Sequence, residues 1–222
     1  MYAKDSIKLA IYGAGGFGRE VAWLADACNS IEKKFEILCF IDDDKNAPAS
    51  LNDIPVVNLD ELAESHASAQ IIAAVGTPCT RELLVSKAKS KGFEFATLVH
   101  PRVEMSRWVD IGNGTVICAG NILTTNITVG QHCQINLDCT IGHDVIIGDF
   151  TTLSPGVHVS GCVHIGKRVY IGTGAVIING TQDHPLQIGD DAVIAAGACV
   201  IKSVPPGVKV MGIPAQERKQ TK

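Results

Sequence analysis

The sequence predicts two unlike parts: an α/β domain on a parallel sheet over residues 1–98, and an all-β triangular parallel β-helix over residues 99–222. Three observations carry this. Short apolar runs alternate with helix-like stretches in the first part only. Glycine is unevenly divided, with six of 22 before residue 99. From Ile111 onward an aliphatic residue returns at every sixth position.

In the first part, residues 8–12 form an apolar run ending in glycines, and residues 19–27 carry a helical pattern. Residues 35–41 read as a second buried strand, closed by Asp42-Asp43-Asp44. A weaker extended piece surrounds residues 54–57, and residues 60–65 make a short helix begun by Asp60. Residues 71–75 form a third clear strand ending at Gly76-Thr77-Pro78; residues 80–90 are helical and residues 93–98 extended. Strands alternating with helices imply a parallel sheet flanked by helices.

The second part keeps a six-residue beat: Ile111, Ile117, Leu123, Val129, Ile135, Ile141, Ile147, Leu153, Val159, Ile165, Ile171 and Ile177. Ile, Leu and Val make up about a quarter of the chain, so such an unbroken run arises by chance roughly once in ten million trials. The next residue is often glycine, and the fifth is small or β-branched, as at Thr115, Cys133, Cys139, Thr151 and Ala175. An inward aliphatic, a tight corner and a small neighbour describe one side of a three-sided coil of 18 residues. Met105 fits the frame, so the solenoid starts near residue 100. The beat slips once: after Ile177 the anchors are Ile188, Ile194 and Val200, which puts five extra residues within residues 181–187. Residues 204–215 close the coil, and a solvated tail follows.

Composition narrows the function. The net charge is −4 and neither part has a basic surplus, which argues against a sequence-independent grip on nucleic acid or anionic lipid. No apolar run is long enough to span a bilayer, and the N-terminal residues lack a signal-peptide pattern; the expectation is a cytoplasmic protein. The eight cysteines are scattered without a CxxC pair, as reduced core fillers would be.

Residues 18 apart stack about 4.8 Å from each other on adjacent coils. His143 therefore lies beneath Gly161, with Asn179 one coil higher, and Asp144 follows as a carboxylate that can orient the imidazole. Base, acid and an unobstructed backbone N–H are the parts acyl transfer requires; a plain surface histidine at a turn is the alternative. Cys162 occupies the neighbouring slot and is expected to point elsewhere. His158 and His164 fall on different sides of the coil, and no three histidines are set as zinc ligands, so no metal is expected. His132 and His184 read as solvated and His100 as structural. Gly13-Ala14-Gly15-Gly16-Phe17-Gly18 matches G-x-G-x-x-G between a strand and a helix, where a phosphate can approach backbone amides. Fewer than 100 residues leave no second mononucleotide half, so a single nucleotide is favoured over NAD. The acidic run at 42–44 is either a ribose or base contact or a solvated turn.

The combination of GAGGFGRE (13–20), IDDD (41–44), VGTPCTR (75–81), IGHDVIIGDF (141–150), LSPGV (153–157) and MGIPA (211–215) resembles one family over essentially the whole chain. These are the bacterial sugar acetyltransferases that include sialic acid O-acetyltransferases and N-acetyltransferases of UDP- or GDP-linked amino sugars. The resemblance implies a Rossmann-like nucleotide-sugar-binding domain, a left-handed hexapeptide-repeat β-helix, and a homotrimer with acetyl-CoA lying between neighbouring subunits. It implies that His143 is the general base, that Asp144 assists it, and that Gly161 offers its N–H to the thioester carbonyl. It also implies that Thr173 and Ala196 contact the CoA arm, that Asn136 faces the sugar, and that Gly13, Gly15, Asp42, Asp43, Gly76, Thr77 and Arg81 line the sugar-nucleotide pocket. Phe17 and Thr152 stand where some amino-sugar members carry histidines. The function implied is acetyl-CoA-dependent N-acetylation of a nucleotide-linked amino sugar in glycan biosynthesis, with sialic acid O-acetylation and a nucleotide-binding trimeric scaffold as the rivals.

Overall fold

A computed structural model describes residues 6–218; the last four residues of the expected solvated tail lie outside the described residues. The chain divides into two compact units, residues 1–101 and 102–222.

In the first unit, strand β1 (Ile7–Tyr12) is followed by helix α1 (Gly16–Asn29), strand β2 (Phe35–Ile41), the hairpin β3 (Ser50–Leu51) and β4 (Ile54–Val57), and helix α2 (Leu59–Ser65). Strand β5 (Gln70–Ala73), helix α3 (Pro78–Ser90) and strand β6 (Glu94–Phe95) complete the sheet. Its order is β3-β4-β2-β1-β5-β6, parallel except for the hairpin. The chain first winds outward from β1 to β4 and then returns to the other side of β1 as β5. In α/β sheets such a reversal marks the point, outside the carboxyl ends of the strands, where ligands bind. Helix α2 begins one residue earlier than the sequence pattern implied. Its cap is Asn58, whose side chain accepts from Glu61 N–H while the Glu61 carboxylate accepts from Asn58 N–H. Pro78 opens α3, its fixed φ suiting the first turn.

The second unit is the three-sided parallel coil. Three ladders climb it, exemplified by Gln134↔Thr152, Thr140↔His158 and Ile146↔His164, each pairing residues one coil apart. Eleven of the twelve periodic aliphatics are buried; Ile111, in the first coil, is half-buried. Each fully buried aliphatic contributes about 1.5–3 kcal/mol of apolar transfer energy. Cys133 and Cys139 are fully buried in their small fifth-position slots, and burial pushes the Cys139 thiol up to about 11. Buried Thr115 and Thr151 repay their desolvation by bonding the next coil: each hydroxyl donates to a glycine carbonyl and accepts a backbone N–H. The ladder spacing jumps from 18 to 23 residues at Val163↔Leu186, so the five extra residues bulge from one corner without disturbing the sheets.

Each side turns its corner through a left-handed fourth residue. Asn126, His132, Asp138, Asp144, Phe150, Cys162 and Arg168 all have φ between 54° and 60°, and Gly114, Gly120, Gly156 and Gly174 fill the intervening corners. This corrects the reading of His132 as solvated. It stacks on Phe150 one coil away, ring centroids 5.1 Å apart, and is 1% exposed.

Candidate active site

The corners form three edges along the solenoid. One edge holds residues 142–145, 160–162 and 178–185, between the ladder through Thr140 and the ladder through Ile146. It brings together His143, Asp144 and Gly161 as the stacking arithmetic requires. The imidazole sits against Gly161: a Cβ there would lie 2.5 Å from His143 Nε2 and 2.6 Å from Cε1. Glycine is needed at this position by close approach, since Gly161 does not have positive φ.

His143 Nδ1 is 2.7 Å from Asp144 Oδ2. The His143 hydrogen bond, followed by one from Asn126, holds the Asp144 carboxyl below the usual carboxylate range. An ionised carboxylate only accepts, so Nδ1 carries a proton; in the neutral ring the lone pair is then on Nε2, the ring atom nearest a Cβ built on Gly161. Asn126 Nδ2 donates to the other carboxylate oxygen at 3.2 Å and fixes its rotation. Among the described residues, no acceptor takes the Gly161 N–H. An imidazole with a free lone pair beside a free N–H can accept a proton and stabilise an oxyanion at neighbouring points.

Two further residues of this edge stand beside these groups, and their placement was not legible in the sequence. Asn126 sits one coil before Asp144, in the same left-handed corner position. Cys162 is one coil after it, and its thiol comes within 4.8 Å of ligand atoms of both His143 and Asp144. The expectation that Cys162 points elsewhere is therefore corrected: its left-handed backbone turns the side chain to the same side as Asp144.

Asn136, Thr173 and Ala196 belong to a different edge, residues 136–139, 154–157, 172–175 and 195–198. Asn136 Nδ2 donates to the Leu153 carbonyl at 3.1 Å, and the Thr173 carbonyl accepts from Gly197 N–H. One six-residue side of the coil, up to about 20 Å of chain, separates this edge from His143.

In the first unit, the glycines divide into two kinds. Gly13, at φ 121°, would drive a Cβ to 2.8 Å from the Ala74 carbonyl oxygen, and a Cβ on Gly18 would run into the Gly13 carbonyl. These two are required by packing. Gly15 and Gly76 follow the carboxyl ends of β1 and β5, and a Cβ added at either would meet nothing within 4 Å. Gly15 caps α1 without a side-chain bond, and Thr77 does the same for α3.

The polar residues expected here are partly committed to the protein. Arg81 is fully buried, and its guanidinium donates to the Val75 carbonyl at 2.7 Å and to Gly76. It braces the Gly76-Thr77 turn. Asp43 accepts from Tyr12 hydroxyl and Lys87 ammonium on one oxygen and from Leu59 N–H on the other. Burial raises its carboxyl, but these three hydrogen bonds outweigh it and hold the group below its ordinary range. Asp42 Oδ1 accepts Asp44 N–H, closing the turn, and Asp42 and Asp43 line a cavity of 190 Å³ with Val56, Val57 and Asn58. No helix among the described residues is long and apolar enough to cross a membrane.

Known proteins resemble the chain over nearly its whole length. Residues 8–88 match the PglD N-terminal domain. The chain is 32% identical over 212 residues to a GDP-perosamine N-acetyltransferase of Escherichia coli O157:H7, covering 95% of this chain and 96% of that protein. It is similar to WeeI from Acinetobacter baumannii AYE, with TM-score 0.88 and 36% identity over 96% of this chain and 100% of the other. It is also similar to the acetyltransferase domain of PglB from Neisseria gonorrhoeae FA1090 in complex with acetyl coenzyme A, with TM-score 0.85 and 31% identity over 96% and 100% of the two chains.

Proposed function

The chain belongs to the sugar N-acetyltransferase family, and from that premise we propose that it moves the acetyl group of acetyl-CoA onto the amino group of a UDP- or GDP-linked amino-deoxy sugar for glycan assembly. The observation that carries this reading is the His143 ring pressed on Gly161 with its Nδ1 held by Asp144.

The transfer is direct. The neutral sugar amine attacks the thioester carbonyl, forming the C–N bond, while Nε2 of His143 takes the ammonium proton. The carbonyl oxygen becomes an oxyanion against the Gly161 N–H. Collapse breaks the C–S bond, and the proton on Nε2 passes to the departing CoA thiolate. Asp144 keeps the imidazole in the tautomer that can accept and steadies the charged ring. The nucleotide part of the acceptor uses Gly13, Gly15, Asp42, Asp43, Gly76 and Thr77 in the first unit. Arg81 supports that pocket by holding the turn, and Asn136 completes the sugar contacts. No metal enters the reaction.

Thr173 and Ala196 serve the CoA arm. They stand on another edge from His143, which supports a homotrimer in which one copy's His143 edge meets a neighbour's Thr173 edge.

The experiment is thiol release from acetyl-CoA with UDP-4-amino sugars, GDP-perosamine and sialic acid offered as acceptors. Release with one nucleotide amino sugar is expected, and His143→Ala should lower kcat by ~10²–10⁴-fold while acetyl-CoA still binds. Release with sialic acid alone would move the acceptor from an amine to a hydroxyl. Failure to bind acetyl-CoA would overturn the enzyme reading.

A further inference from the structure

The transfer makes no use of Cys162, yet this thiol is the third functional group at the His143 edge. Ligand atoms of His143, Asp144 and Cys162 all lie within 4.8 Å of one another. The backbone holds them there. Asp144 and Cys162 take the same left-handed corner, φ 58° and 56°, on successive coils, and Cys162 N–H donates to the His143 carbonyl at 2.9 Å. A cavity of 170 Å³ opens beside them, lined by Asp144, Cys162, His164, Gln182 and Pro185. Two of its lining residues, Gln182 and Pro185, come from the five-residue bulge.

An imidazole nitrogen, a carboxylate oxygen and a thiolate form a donor set for a borderline-soft, four-coordinate cation that keeps one position for water. Tetrahedral ligands stand roughly 3.3–3.8 Å apart, so at most ~1.5 Å of closure is needed. The His143 side chain is 61% exposed and can swing that far. We propose that His143, Asp144 and Cys162 form a binding site for a divalent cation of the Zn²⁺ class, and that its occupation switches acetyl transfer off. Binding releases the thiol proton to solvent; the Nδ1 proton passes through solvent to Nε2, so the metal takes the Nδ1 lone pair and an Asp144 oxygen in place of their mutual hydrogen bond, and Nε2 can no longer accept a proton. Metal binding stands on the geometry alone; inhibition rests on the transferase reading above.

The test uses the full chain, stripped of metal and titrated with Co²⁺ as a spectroscopic stand-in. A near-ultraviolet thiolate-to-cobalt band with tetrahedral visible bands is expected, saturating at one ion per chain and bleached by Zn²⁺. His143→Ala, an exposed change that keeps all eight cysteines, and Cys162→Ser should each abolish the band. In the transfer assay Zn²⁺ should inhibit the wild type reversibly, a chelator should restore it, and Cys162→Ser should keep basal activity while losing Zn²⁺ sensitivity at least tenfold. Absence of the band, or its persistence in either variant, overturns the site. A band with no inhibition, or inhibition that Cys162→Ser leaves unchanged, overturns the switch. A chain that transfers acetyl to no acceptor would refute the function while the cobalt spectra still decide the site.

Discussion

At Gly161 a single hydrogen in place of a methyl group decides whether the imidazole can occupy the position proposed for the general base. A Cβ there would fall 2.5 Å from His143 Nε2, and because the ring is mostly exposed, the ring rather than the backbone must yield. Gly161→Ala is thus expected to lower kcat roughly 10²-fold, the cost of misplacing a catalytic group by about 1 Å. Its Tm should stay close to wild type, since the residue lies outside the left-handed region. Thiol-release kinetics beside a melting curve check both halves; a large fall in Tm would show that the coil, and not the ring, absorbs the clash. His143, Asp144 and Gly161 were legible in the sequence because an 18-residue coil can be counted without coordinates. The same count applied to Asp144 leads to Asn126 below and Cys162 above, and neither residue type announced a role. Asn126 is the usual occupant of a left-handed corner. Cys162 resembled the core-filling thiols at 133 and 139, which in fact occupy the fifth position rather than the fourth.

Among the elements, the bulge at residues 181–185 interrupts the solenoid in sequence but not in its ladders. Val163 pairs with Leu186 and Ile165 with Ile188 as though those residues were absent. The loop closes on itself through Thr181 and His184, each N–H bonding the other's carbonyl. Deleting residues 181–185 restores the 18-residue coil and should leave the fold intact, because short surface loops change stability little. The same deletion removes Gln182 and Pro185 from beside Asp144, so KM for the acceptor or acetyl-CoA should rise while Tm moves by only a few degrees. A collapse of Tm would show that the bulge itself stabilises the coil. In the first unit, Asp43 ties β1, α2 and α3 together through Tyr12, Leu59 and Lys87. Its carboxyl is depressed in the fold, so its stabilising contribution is fully present above the unfolded value of about 3.9 and is lost as pH falls through the folded value. Asp43→Asn should therefore cost about 1–3 kcal/mol at neutral pH. The gap in Tm to wild type should hold from neutral pH to about 5 and close below about 4; a gap that widens in acid would contradict the sign. The strands of this unit were readable as apolar runs, whereas its helix starts were not. Asn58 and Pro78 lie before the first helical pattern, and capping acts through side-chain geometry that periodicity does not register.

For the whole molecule, the two sets of residues assigned to one reaction occupy different edges of the same prism. His143 and Gly161 share one; Thr173 and Ala196 share another, a full side away. The sequence alone separates them, since 161 and 173 differ by two units of six and so fall on different corners. What it does not carry is which edge of a second copy meets which edge of the first, because that depends on the surface of an entire face. The proposed trimer turns this into a prediction with a definite ratio. A chain with His143→Ala retains a sound Thr173 edge, and a chain with Ala196→Trp retains a sound His143 edge; each alone should be inactive as a trimer. Unfolded together in equal amounts and refolded, they assort at random, and an interface is complete only where the second variant supplies the histidine and the first supplies the other edge. That combination falls at about one interface in four for a closed cyclic trimer. Recovery of ~25% of wild-type thiol release is therefore expected from the mixture. No recovery, with both variants shown to co-assemble, would place the whole reaction on one chain.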